Sequence, residues 1–227
     1  MNNNILISIL VIIVVVVGLV FLSNNSKKKV TLNDVNEVEK TPEKQSVSLL
    51  DGTYSFSMNE SQIQWEGKKT LVKDWVDIGF VSLVSGDISI VNKTPSSGKI
   101  TIDMNSISAT KTGANSGEDK LSMHLKSADF FDTTLYPTGE FKVSSISLIE
   151  NNNYKVTGDI KIKGITKIIE FPASIYMKDN KILVDGEITL NRADFNVRYG
   201  SKSFFNDLGD KVIDDNFILR LKLVAIK

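Results

Sequence analysis

One stretch of the chain concentrates side chains that could do chemistry: His124-Leu125-Lys126-Ser127-Ala128-Asp129-Phe130-Phe131-Asp132. His124 is the only imidazole in 227 residues, so it is the only histidine available as a general base. Asp129 and Asp132 are three apart and can share one side of a turn, where paired carboxylates can perform acid-base work. The same carboxylates could instead cap a helix end or accept from backbone amides. His124 has no partner for nucleophilic or metal chemistry. Cysteine is absent and there is no second histidine, whereas zinc draws on several N or S ligands. A packing or hydrogen-bonding role for His124 is therefore favoured, and no catalytic residue, metal or cofactor is assigned. Phe130 and Phe131 bring a large apolar area, on the order of 150–250 Å² per ring, that some other element must cover.

The elements around this stretch read as strands. Period-2 alternation, the mark of a half-buried strand, recurs from Asp51-Gly52 onward. Tyr54, Phe56 and Met58 share one face, and Ile63 and Trp65 begin the next run. Phe80, Val84, Ile88 and Ile90 keep even parity, with Gly86 marking a bend or bulge. A turn at Thr94-Pro95-Ser96-Ser97-Gly98 leads to Ile100, Ile102 and Met104. Lys111 to Gly117 is a loop, and Ser116 with Asp119 resembles a capping pair for a short helix carrying Leu121, His124 and Leu125. That helix is too short to stand alone and must pack on the sheet. Strands resume after Tyr136-Pro137. Phe141 and Val143 are odd and Ile146 and Leu148 even, which places a bulge at Ser144-Ser145. Asn151-Asn152-Asn153 turns the chain into Tyr154, Val156, Ile160 and Ile162. Gly164 and Asp179-Asn180 bound the run Ile169, Phe171, Ala173 and Ile175. Ile182, Val184, Ile188 and Leu190 follow, and Phe217 to Ala225 is the last strand.

Only one face of each run is strongly apolar, unlike the continuous apolar strands of parallel α/β sheets. Eight or nine strands in hairpin succession leave a sandwich or a closed up-and-down barrel, and the long strands favour the barrel. An eight-stranded barrel is either filled by side chains or holds one small ligand.

Composition narrows the classes further. Lys+Arg and Asp+Glu are balanced at 27 each, which argues against nucleic acid as a partner. Apolar content of 41% and charged content of 24% suit a globular domain. Ile5 to Leu22 is uncharged and apolar except for Ser8 and Gly18, close to the roughly 20 residues that cross a bilayer. A core helix or a cleaved signal peptide are the alternatives, but no small-x-small cleavage site follows. The expected organisation is a membrane anchor over 1–22, a flexible linker over 23–50 and a barrel domain over 51–227. Lys27-Lys28-Lys29 follow the span and, by the positive-inside rule, would hold the domain in the cytoplasm.

Five pieces, in order, resemble the YceI-like family. They are Ile63-Gln64-Trp65-Glu66-Gly67-Lys68, Ile102-Asp103-Met104-Asn105-Ser106-Ile107, the His124–Asp132 stretch with Tyr136-Pro137 and Phe141, Gly158 to Lys167, and Asn191-Arg192-Ala193-Asp194-Phe195 with Tyr199-Gly200. The tail Asp210 to Asp215 fits too, and the resemblance spans about residues 52 to 226. It implies an all-β, lipocalin-like antiparallel barrel with a short helix. It also implies export from the cytoplasm, against the lysine signal, and binding of long-chain isoprenoid or fatty amphiphiles. Many relatives carry a histidine two residues before the glycine matching Gly79; here that position is Asp77.

On that basis the expected ligand-contacting residues are Trp65, Ile102, Met104, His124, Phe130, Phe131, Phe141, Ile160 and Ile162. Phe130-Phe131 is either a plug that pins one barrel end or the portal wall for an acyl or prenyl chain. Arg192 ties a strand end through Asp194 or through backbone, with a headgroup role as the weaker alternative. The expected partners are a long-chain lipid or isoprenoid and the membrane, with self-association into a homodimer. The expected function is a membrane-tethered extracytoplasmic binding protein. Its rivals are a structural envelope protein with a filled barrel and, more weakly, an enzyme using His124.

Overall fold

The computed structural model describes residues 48–227. The apolar stretch from Ile5 to Leu22 and the tether up to residue 47 lie outside the described residues. No helix among the described residues is long and apolar enough to cross a membrane.

Nine antiparallel strands and one α-helix make up this part, with short 3-10 helices at Arg192–Phe195 and Gly209–Lys211. In order they are β1 (Gly52–Phe56), β2 (Gln62–Lys68), β3 (Val76–Val91), β4 (Thr94–Lys111), α1 (Glu118–Lys126), β5 (Thr138–Glu150), β6 (Asn153–Ile162), β7 (Ile165–Lys178), β8 (Lys181–Asn191) and β9 (Asn216–Ile226). The sheet runs β1-β3-β2-β9-β8-β7-β6-β5-β4, and a β3–β4 pairing closes it on itself. Both β1 and β2 pair with β3 and with β9, so together they form one interrupted stave. The result is an eight-stave barrel, and closure removes the exposed edges that a sandwich would leave.

The tight turns have identifiable causes. Asn92 and Lys93 at φ 51° and 60°, Lys163 and Gly164 at 49° and 74°, and Asp179 and Asn180 at 52° and 59° take the left-handed conformations of primed hairpin turns. Asn151 does the same between β5 and β6 at φ 51°. The inward faces of β6 to β9 follow the expected alternation: Tyr154, Val156, Ile160, Ile162, Phe171, Ala173, Ile175, Ile182, Val184, Ile188 and Leu190 are all buried.

Four expectations need correction. The turn after β3 lies at Asn92-Lys93, and Pro95 to Gly98 are already in β4, paired with β3. The Pro-Ser-Ser-Gly cluster looks like a turn, but Pro95 tolerates a strand position where its missing N–H is not needed. Even parity along β3 fails: Leu83 faces in and Val84 is exposed, because register shifts interrupt the β3–β4 ladder before Ile88 and Ile90 return to the core. Met58 lies beyond β1 and is exposed. Ser116 does not cap α1. Gly117 occupies that position at φ 91° with no side-chain cap, and Ser116 instead exchanges hydrogen bonds with Thr112 Oγ1. The bulge between Val143 and Ser145 is where the parity change places it.

Candidate functional site

α1 lies against β4, with Leu125 buried and Leu121 packed on the core. Ser122 fixes the docking: its Oγ donates to the Glu118 carbonyl and accepts from Ala109 N of β4, both at 2.8 Å. The segment after α1 then wraps its C-terminus. Ser127 N donates to His124 O, Phe131 N to Leu125 O and Thr133 N to Lys126 O, so main-chain amides satisfy the helix-end carbonyls. Asp129 and Asp132 do not do this work, contrary to one reading of their spacing. Asp132 adopts a left-handed conformation at φ 49°, and Asp129 lies 3.6 Å from His124 Nε2.

This wrapping drives Phe130 into the barrel end, where it is 5% exposed. His124 and Tyr199 flank it. The His124 ring stands edge-on to Phe130 at 4.9 Å and to Tyr199 at 4.5 Å. From across the barrel end, Lys163 Nζ donates to the Phe130 carbonyl. Burial pushes the Lys163 ammonium down, opposed by the negative charges of Asp132 and Asp129. Tyr136 packs on Gly164, where a Cβ would come within 2.9 Å of its ring.

Arg192 holds the same end together. It is 4% exposed and donates to the carbonyls of Asp214, Val197, Tyr199 and Ile213, and it pairs with Asp215 at 3.1 Å. The backbone half of the expectation is met, but the carboxylate partner is Asp215 rather than Asp194. Burial raises the Asp215 carboxyl, but hydrogen bonds from Ser201 and Ser203 and the Arg192 charge outweigh it and leave it below the usual carboxylate range. Asp77 accepts from Gly113 N at 2.8 Å and from Trp75 Nε1 at 3.2 Å. It clasps the β4–α1 loop.

Beneath the Phe130 end lies a cavity of about 140 Å³. Eight of the nine residues expected to meet a ligand line it: Trp65, Ile102, Met104, Phe130, Phe131, Phe141, Ile160 and Ile162. His124 does not; Phe130 stands between its ring and the interior. The Trp65 indole enters the barrel because its direct cross-strand neighbour is Gly79, where a Cβ would lie 2.5 Å from the ring. Its Nε1 donates to Ser108 O at 3.2 Å, which satisfies its one polar group. Ile107, Ile213, Phe217 and Leu219 also line the cavity but were not among the expected contacts, Phe217 and Leu219 having been read only as apolar positions of the last strand. Ile107 lies three residues after Met104, off the strand alternation, and Ile213 sits in a segment with no periodic signal.

The wall is overwhelmingly apolar. The charged and amide residues among its lining are Lys68, Asp77, Glu140, Arg192, Asp214 and Asn216. All sit at or next to strand ends on the α1 side. No group of three His, Cys, Asp or Glu among the described residues could hold a metal ion. Such a cavity can sequester an apolar chain with its polar end toward α1.

Residues 54–225 match the sequence model of the YceI-like domain. A UPF0312 protein of Pseudomonas putida is 31% identical over 120 residues, which cover 50% of this chain and 59% of that protein. Protein YceI of Shigella flexneri is 31% identical over 90 residues, 40% of this chain and 44% of that one. The aligned stretches thus span only about half the length of these relatives. Two solved structures share the fold. Burkholderia cenocepacia BcnA aligns with a TM-score of 0.60 at 23% identity, covering 75% of this chain and 99% of that one. A polyisoprenoid binding domain from Saccharophagus degradans, implicated in plant cell wall breakdown, aligns with a TM-score of 0.58 at 18% identity, covering 76% and 97%. At these identities the likeness is one of fold, and the matched domain carries the assignment: the chain belongs to the YceI-like family.

Proposed function

We propose that the barrel is a binding module for one long apolar chain, a polyisoprenoid or fatty amphiphile. The tail lies in the cavity under Phe130 and the polar end faces α1. The observation that carries this reading is the apolar lining itself, contributed by Trp65, Ile102, Met104, Phe131, Ile160 and their neighbours. Each buried methylene contributes roughly 0.8 kcal/mol, so a chain of about ten carbons binds without many polar contacts. A barrel filled by side chains, the structural alternative, would leave no such space. The polyisoprenoid binding domain of S. degradans supports the choice of ligand class. His124 is given no catalytic part, because its ring packs against Phe130 and Tyr199 rather than facing the cavity.

In this proposal residues 1–22 anchor the domain to the cell membrane and the barrel stands on the extracytoplasmic side, close to the lipid that supplies its ligand. Displacement of a fluorescent fatty probe from the full chain tests binding. Saturable 1:1 displacement by long-chain alcohols or isoprenols is expected, and no displacement by either overturns the reading. Protease digestion of intact cells tests placement: cleavage of the domain is expected, and full protection contradicts it.

A further inference from the structure

A second cavity of about 50 Å³ lies deeper in the barrel, lined by the later part of β5 (Val143, Ile146) and by Val156 and Phe171. The two cavities share a single lining residue, Phe141. Residues before it on β5, Gly139 and Glu140, line only the upper cavity, and residues after it line only the lower one. Along β6 the order is the same but reversed, as antiparallel pairing requires: Ile162 and Ile160 line the upper cavity and Val156 the lower. Phe141 therefore stands at the boundary between two successive levels of one barrel.

Its ring is seated there by two neighbours. Val143 pairs with Gly158, and a Cβ at Gly158 would come 2.6 Å from Phe141 Cζ and 2.7 Å from Cε2. The ring occupies the notch that this glycine leaves in β6. On the other side it meets Phe171, with centroids 5.6 Å apart and planes tilted by 56°, a favourable separation for an aromatic pair. A notch on one side and an aromatic stop on the other hold the ring across the interior.

We propose that Phe141 is a specificity-determining residue, a floor that sets how many carbons of a bound chain the barrel can bury. The inference rests on the lipid-binding reading. A chain entering beneath Phe130 is buried down to Phe141, and further carbons gain nothing. Removing the ring joins the two cavities. From Phe141 to Ile146 the strand advances about 15 Å, which adds room for several methylenes.

The test is a chain-length series on the full chain held in amphipol. Straight-chain alcohols of about ten to about twenty-two carbons compete with a fluorescent fatty probe. For the unchanged protein, affinity is expected to rise about fourfold per added methylene and then level off at one length. In Phe141→Ala the levelling-off moves several carbons longer. Phe141→Leu, a smaller perturbation of the fold, gives an intermediate shift and serves if the alanine variant does not fold. A levelling-off length unchanged in both folded variants overturns the floor while leaving lipid binding intact. Failure of every alcohol to displace the probe from the unchanged protein overturns the lipid-binding reading, and the floor with it.

Discussion

Lys163 holds Phe130 by its main chain: the ammonium at the β6–β7 turn donates to the Phe130 carbonyl across the barrel end. The Phe130 ring thus owes its position to two distant pieces of sequence. The wrapped terminus of α1 delivers it, and a turn residue at φ 49° pins it. Whether this end is sealed or opens depends on how firmly that pin holds.

Lys163→Met keeps the apolar stem and removes the hydrogen bond. A charged hydrogen bond of this kind contributes about 1–3 kcal/mol. The variant is expected to melt a few degrees lower and to exchange a bound fatty probe several-fold faster in stopped flow. An unchanged exchange rate would mean that Lys163 does not restrain the barrel end.

Phe130 and Phe131 are expected to separate. Phe130 is buried among His124, Tyr199 and the Arg192 guanidinium, whose Cζ lies 6.0 Å from the ring centroid. Phe130→Ala should lower stability in urea by about 3–5 kcal/mol. Phe131 is only partly buried and lines the cavity; Phe131→Ala should destabilise by roughly half as much or less and accelerate ligand exchange. Equal destabilisation with unchanged exchange in both would make the pair a plug with no part in entry.

Much of the barrel was legible because its strands obey one rule. From Tyr154 to Leu190 every inward residue follows period-2 alternation between Asn and Gly turns, and the structure keeps it. The reading failed where a bulge resets parity, as at Leu83 and Val84, since a register shift depends on the partner strand. It failed again where a glycine replaced a side-chain cap, at Gly117. Eight of the nine expected contacts do line the cavity, because inward residues near an aromatic stretch must line whatever space exists, although much of the remaining wall was not named. His124 was misplaced because nothing in local spacing shows that the Phe130 ring turns inward past it. Nothing in the spacing named Asp215 as the Arg192 partner either, since the two meet only after a long excursion between β8 and β9.

Arg192→Lys keeps the charge but loses the planar fork that reaches four carbonyls and Asp215. It leaves buried acceptors unpaired, and a loss of about 3–5 kcal/mol is expected. Denaturant melts check this; a loss under about 1 kcal/mol would show that the carbonyls find other donors.

Acid should weaken the fold through two carboxylates. Burial raises Glu66, but its contacts with Arg220 at 2.8 Å and Lys68 at 3.0 Å outweigh that and leave it below its ordinary 4.5. Asp215 is likewise held below 3.8. Because both are lowered in the folded state, the unfolded chain binds more protons in acid. Their contribution is fully present above the ordinary values and is lost as pH falls through the lowered ones. Melting temperature is therefore expected to hold steady near neutrality and drop below pH about 4.5. Glu66→Gln and Asp215→Asn should each be less stable at pH 7 and lose less between pH 5 and pH 3. Parallel profiles for variant and unchanged protein would contradict the assignment.

The central claim is that the barrel holds a long apolar chain, and native mass spectrometry of the full chain, gently purified from the cells that make it, tests it most directly. The account predicts a population one adduct heavier than the bare chain, at the mass of one long-chain isoprenoid or fatty amphiphile. That adduct should be lost on organic extraction and restored by adding the extract back. A single peak at the bare mass, together with no uptake of added long-chain lipid, would contradict it.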